Sequence, residues 1–146
     1  ERVIKVLNEV LATEIVCVLR YMRHYYMAEG IDGETVKAEF LEHANDERGH
    51  ADLAATRIVQ LGGEPDLNPE ILGKRSHTEY AEGTTLAEMI KEDLVAERIA
   101  VASYQEIIRW LGDGDPTTRR VMEGLLADEE DHADDLRSLL AKVGSR

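Results

Sequence analysis

Several residue types on which folds and functions commonly rest are scarce in this chain of 146 residues, which holds one cysteine, three prolines and only 5% aromatics. A single cysteine, Cys17, excludes an internal disulfide framework and suits a reducing compartment; on its own it reads as a small apolar helix residue. No apolar run approaches the roughly 20 residues needed to cross a bilayer, and no stretch reads as a signal peptide. A cytoplasmic location and no membrane partner are therefore expected. Basic residues are in short supply as well. Seventeen Lys and Arg stand against 30 Asp and Glu, a formal net charge of −13, with no basic tail to neutralise phosphates, so no nucleic-acid partner is expected.

What is plentiful is Ala, Leu, Glu, Asp and Arg, which favours helices. The expectation is a single all-α domain over 1–146. Residues 2–28 contain neither Gly nor Pro, and Leu7, Leu11, Val18, Tyr21 and Tyr25 recur at mixed spacings of three and four, the period of one helix face. "EGIDGET" supplies a stop and a turn, and a second helix is expected over about 34–61. Residues 62–84 hold two of the three prolines and no sustained period, the mark of a long connection. Thr84 or Thr85 can cap a third helix over about 85–111. "GDGDP" ends it and places Pro116 at the start of a fourth, over about 116–143.

Two short-looped antiparallel hairpins joined by one long crossover follow from these lengths. A 28-residue helix is about 42 Å long, and the crossover fully extended reaches about 70 Å, enough to travel the length of a four-helix bundle. An up-down-up-down bundle would need no such connection.

Each apolar stripe is broken by charge at one height. Glu14 interrupts the first helix and Glu97 the third; Glu47 with His50 interrupts the second, and Glu129 with His132 the fourth. Residues three apart share a helix face, so each Glu-x-x-His pair aims two donors at one centre. The register repeats: Glu14 to Glu47 spans 33 residues and Glu97 to Glu129 spans 32, while Glu47 to Glu129 and His50 to His132 both span 82. Four carboxylates meeting inside a bundle would cost many kcal/mol without a counter-charge. Two divalent cations supply it, and oxygen and imidazole donors without thiolate favour Fe or Mn, with Zn as an alternative occupant.

The motifs "DERGH" at 46–50 and "DEEDH" at 128–132, together with Glu14 and Glu97, make the chain resemble the bacterioferritins and their ferritin-like di-iron carboxylate relatives over nearly its whole length. The resemblance implies a ferritin-like four-helix bundle. It also implies two Fe ions per chain, with Glu47 and Glu129 bridging, Glu14 and Glu97 terminal, and His50 and His132 each capping one ion. The implied activity is a ferroxidase that oxidises Fe(II) with O2 or hydrogen peroxide for storage or detoxification, in a homo-oligomer. The alternative is a di-iron or di-manganese redox enzyme that consumes peroxide without storing metal. A rubrerythrin would need a pair of Cys-x-x-Cys motifs, and the mini-ferritins that protect DNA build their sites between subunits.

Supporting residues are expected from the same spacings. Tyr21 and Tyr104 each lie seven after a ligand, Asp93 lies four before Glu97, and Asp128 lies four before His132 where it can orient the imidazole; Asp46, like Asp128, directly precedes a ligand. Two departures from the bacterioferritin pattern matter. Arg48 stands where the haem-binding Met would be, so no haem is expected. Residues 133–146, ending "LLAKVGSR", carry no counterpart of the fifth helix of 24-subunit cages, so the size of the oligomer stays open. His24, His43 and His77 fall outside the six-residue set; His43, seven before His50, is expected as a polar helix position, with an iron-entry or inner-surface ligand as the alternative. Trp110 is expected as a packing or interface anchor.

Overall fold

The computed structural model describes residues 1–144; Ser145 and Arg146, the end of the "LLAKVGSR" stretch, lie outside the described residues. Four long helices form: α1 over Arg2–Met27, α2 over Gly33–Gln60, α4 over Leu86–Leu111 and α5 over Pro116–Gly144. A short α3, Pro69–Arg75, lies inside the crossover, where no helix is expected from the pattern. Asn68 caps it, its side chain accepting from the Glu70 amide, and Pro69 takes the first position with its φ already suited to a helix.

The helix ends follow local chemistry. Gly62 takes φ 86° after α2, and Gly63 N–H bonds to the Ile58 carbonyl while Gly62 N–H bonds to that of Val59, the paired arrangement that closes a helix on a left-handed glycine. Of the two candidate threonines before α4, Thr85 is the cap and completes a capping box with Glu88. Pro116 opens α5, and the Asp115 side chain accepts from the Thr118 amide at 3.1 Å.

Two apolar clusters fill the bundle. One gathers Leu7 and Leu11 of α1, Ala54 and Ile58 of α2, Tyr104 and Leu111 of α4, and Met122 and Leu125 of α5. The other gathers Tyr21, Phe40, Ile90, Leu94, Leu136 and Leu139. Chain order through the clusters gives the directions: α1 and α5 run one way, α2 and α4 the other. The end of α2 and the start of α4 therefore sit at opposite ends, so the crossover must climb the whole bundle. It climbs along α1. Asp66 N–H donates to the Asn8 side chain at 2.8 Å, His77 N–H to the Thr13 hydroxyl at 2.8 Å, and the Ala81 carbonyl lies 2.9 Å from His24 Nε2.

The buried face of α1 is broader than the expected stripe. Val18 and Tyr25 are only partly buried, and on α4 the same holds for Val101 and Ile108. Cys17, Arg20 and His24 are enclosed instead, as is Ile107. The reason for the first three is the crossover, which covers a side of α1 that faces water in a bare four-helix bundle. Arg20 Nε donates to Asp93 at 2.8 Å, its Nη1 to the Glu79 carbonyl at 2.9 Å and its Nη2 to Cys17 Sγ at 3.2 Å.

Candidate metal centre

Glu14, Glu47, Glu97 and Glu129 are all fully enclosed between the two apolar clusters, and His50 and His132 are 4% and 3% exposed. Each stands on the buried face of its helix, with core residues one to two turns away on either side. The donor atoms fall into two quartets. Glu14, Glu47, His50 and Glu129 form one; Glu47, Glu97, Glu129 and His132 form the other, with the donor atoms of each quartet within 4.8 Å of one another. Glu47 and Glu129 belong to both.

The supporting hydrogen bonds show how these groups are held. Tyr104 donates to Glu14 Oε1 at 2.6 Å and Tyr21 to Glu97 Oε2 at 2.7 Å, so Glu14 and Glu97 are each aimed by a tyrosine from the other hairpin. His50 Nε2 lies 2.7 Å from Asp128 Oδ2, and His132 Nε2 lies 3.0 Å from Asp46 Oδ2. This corrects the expected pairing within one helix: Asp128 of α5 orients the imidazole of α2, and Asp46 of α2 orients that of α5. Four residues along one helix brings an aspartate over its own histidine's turn, but here the ring nitrogen facing outward points across the groove to the neighbouring helix. Asp93 is a second correction. Its carboxylate bonds not to the Glu97 side chain but to Arg20 and to His24 Nδ1 at 2.7 Å, and so ties α4 to α1 and the crossover.

With Nε2–H given to an aspartate, the Nδ1 of each histidine faces the carboxylates. His132 Nδ1 lies 2.9 Å from Glu47 Oε1, 2.9 Å from Glu97 Oε2 and 3.2 Å from Glu129 Oε1; one nitrogen carries at most one proton and cannot serve three oxygens. Both oxygens of Glu47, both of Glu129, one each of Glu14 and Glu97, and His50 Nδ1 have no hydrogen-bond partner. Buried polar atoms are nearly always paired. An unpaired cluster of this composition could hold cations, and the residues present fit two divalent metals.

In the chain alone, protons occupy that space. Burial, then the charges of Glu129, Glu14 and Glu97, raise Glu47 well above the usual carboxyl range. Burial and the charges of Glu14 and Glu97 push Glu129 up to about 8. For His50 burial opposes the charged form, but Glu14 and Glu129 prevail and push it up to about 9; Glu129 and Glu97 likewise push His132 up to about 11 against burial. Burial and the neighbouring Glu97 and Glu14 charges also raise Tyr21 and Tyr104, which stay neutral donors.

The remaining histidines separate clearly. His77 is exposed on the crossover. His43 differs from the expected polar position: it is fully buried, its ring stacked on that of His132 at 4.0 Å between centroids. Cys17 is buried, and desolvation pushes its thiol up to about 12, so it is an inert wall. Arg48 lies exposed on α2, and Trp110 is 47% exposed near the end of α4.

The chain matches the family model described as the ferritin-like domain over residues 4–145. It belongs to the ferritin-like family. Among curated relatives, bacterioferritin of Brucella melitensis is 32% identical over 148 residues, covering 98% of this chain and 87% of that protein. Among solved structures, a dodecameric thioferritin, the bacterioferritin-related protein of Bacteroides fragilis, superposes with a TM-score of 0.94 at 32% identity, over 99% of this chain and 87% of that one. A Dps from Thermosynechococcus elongatus shares the fold with a TM-score of 0.92 at 21% identity, over 96% of this chain and 90% of that one. Among the described residues of this ferritin-like chain, no helix is long and apolar enough to cross a membrane.

Proposed function

We propose that this ferritin-like chain is a ferroxidase: it binds two Fe(II) ions at one buried centre and passes their electrons to O2 or hydrogen peroxide. The observation that carries the reading is the set of unpaired donor atoms shared between two quartets. Glu47 and Glu129, common to both quartets, would bridge the pair. Glu14 and His50 would complete one side, and Glu97 and His132 the other. Two adjacent ions supply two electrons, one each, which is what a two-electron oxidant takes up.

The chain's own groups account for selectivity and release. Carboxylate oxygens favour the higher iron charge, so the centre makes loss of an electron from Fe(II) more favourable. Tyr21 and Tyr104 fix the terminal carboxylates, and Asp46 and Asp128 fix the imidazole tautomers. Protons resident on Glu47, Glu129, His50 and His132 leave as the metal enters, since each ligand binds in its deprotonated form. In the cell the chain acts as a homo-oligomer, in keeping with the dodecameric relative, and the iron it oxidises is its cargo for storage or detoxification.

Anaerobic Fe(II) titration followed by air exposure tests this, with Glu47→Ala and Glu129→Ala beside the parent. The expected result is oxidation of the first two Fe(II) per chain, lost in both variants, with continued uptake beyond two marking storage. A parent that binds no iron, or variants that oxidise it as fast, would overturn the reading. Saturation at two with turnover of hydrogen peroxide would replace storage by peroxide consumption.

A further inference from the structure

Among the described residues, donors also converge around His43, which groups with Glu97 and His132 on its inner side and with Glu39 and Asp135 on its outer side. Its two ring nitrogens face in different directions. Nδ1 lies 3.2 Å from the Tyr21 hydroxyl, whose own proton goes to Glu97 Oε2 at 2.7 Å, the shorter and charge-assisted of the two contacts. Tyr21 therefore accepts from His43, which places the proton of the neutral ring on Nδ1 and the lone pair on Nε2. That lone pair faces carboxylate oxygens. Asp135 Oδ2 is 3.3 Å away and Glu39 Oε1 is 3.6 Å away.

Three acceptors turned toward one another are held together only by a proton or a cation between them, and Lys142 lines the same depression as Glu39 and Asp135. The separations suit a metal: donors held tetrahedrally at about 2.0–2.2 Å from a common ion stand about 3.4 Å apart. The same three residues bring their donor atoms within 4.8 Å of one another. Rigidity and access are both provided. The His43 side chain is fully enclosed and braced on His132, while the Glu39 and Asp135 side chains are 29% and 45% exposed and open into a depression of about 250 Å³.

We propose that Glu39, His43 and Asp135 form a third metal site, which takes one divalent cation of the Zn(II), Mn(II) or Fe(II) class through an imidazole nitrogen and two carboxylate oxygens and leaves its remaining positions to water. His43 is the wall between this site and the inner one, since its ring lies against His132 and its other nitrogen reaches Glu97 through Tyr21. A cation bound there waits one ring's thickness from the buried carboxylates, with solvent on its other side. It is a holding position for metal moving between the surface and the core. The site stands on these three residues alone and does not depend on what the inner centre oxidises.

Zn(II) tests the site without redox chemistry or mineral formation. Crystals of the chain soaked in Zn(II) are expected to show an anomalous peak bonded to His43 Nε2, Glu39 and Asp135, and calorimetry a third Zn(II) per chain beyond the inner two. The double variant Glu39→Gln/Asp135→Asn changes two partly exposed side chains, so it leaves the core packing in place. In it the third-site peak is expected to vanish and third-site affinity to fall at least tenfold, while peaks among the six inner residues persist. A parent whose inner centre fills with no peak at the triad would overturn the proposal and assign a proton to Nε2 instead. So would a triad peak that survives the double variant. Peaks are read site by site, so failure of the inner centre and failure of the triad are separate results.

Discussion

Replacing Glu129 by Gln should make the metal-free protein more stable while destroying its inner metal site. Glu129 is fully buried with neither carboxylate oxygen hydrogen-bonded, and burial with the Glu14 and Glu97 charges pushes it up to about 8 from an ordinary 4.5. A carboxyl raised in this direction holds a proton in the native state that the unfolded chain has already released. At pH 7 that difference amounts to about 2.5 pH units, or about 3 kcal/mol against folding. An amide has the same shape and needs no such proton. It does give up the attraction to His132 Nδ1, 3.2 Å from Glu129 Oε1, which reduces the expected gain to about 2 kcal/mol, or about 4–8 °C in Tm for a chain of this size. Thermal unfolding in chelator at pH 7 measures it. Added divalent metal should then reverse the order, because only the parent gains the linkage term, about 2.7 kcal/mol at one hundred times Kd. A metal-free variant less stable than the parent would refute the claim that the carboxylates of this centre are uncompensated. An equal metal response in both would remove Glu129 from the site.

Metal uptake should also be pH-dependent, because the ion displaces protons that Glu129 holds up to about 8 and His50 up to about 9. Affinity for Zn(II) is expected to fall as pH drops from 9 to 6 and binding to release protons, read with an indicator dye in weakly buffered solution; an affinity flat over that range would refute the proton-filled centre. Asp46→Asn and Asp128→Asn should each weaken inner-site metal affinity by about 10–100-fold by loosening one imidazole. The crossed pairing is tested by tautomer-sensitive NMR of the histidines: Asp128→Asn is expected to move the signals of His50 and Asp46→Asn those of His132, and the reverse assignment would sink it.

The long helices and the crossover were legible because they depend on quantities a sequence carries directly: a period near 3.6, glycine and proline at the breaks, and a connection too long for a neighbouring helix. The fold as a ferritin-like four-helix bundle is the one observed. What escaped was the part of the fold decided by a third partner. The "LNPEIL" stretch holds an Asn cap and a Pro at the first helical position, a start signal for α3, but α3 has only seven residues with one buried side chain, Leu72, too few for any period to appear. Nothing in the helix pattern marks Arg20 and His24 for burial. They are buried because the crossover lies over them, and only its path, fixed by contacts far apart in sequence, reveals that.

The site was legible to a different depth at each remove from the helix axis. That Glu14, Glu47, His50, Glu97, Glu129 and His132 face inward was legible from phase, since a charged residue in step with Leu and Ile on its own helix must point inward, whichever helix it meets, and all six are buried. Tyr21 and Tyr104 keep the same phase two turns on, so the seven-residue spacing placed them on the correct face, and the bundle joined each to a carboxylate of the other hairpin. Aspartates next to the ligands sit at the edge of that face, where phase no longer chooses between partners on one helix and partners across the groove; Asp46 and Asp128 take the second option and Asp93 turns away to Arg20. His43 marks the limit of the method. It lies seven before His50, nearly in phase with it, and that signal was present; its meaning depends on Glu39 one turn earlier on α2 and on Asp135 of α5, a pairing that exists only once α2 and α5 lie side by side at the register the inner centre sets.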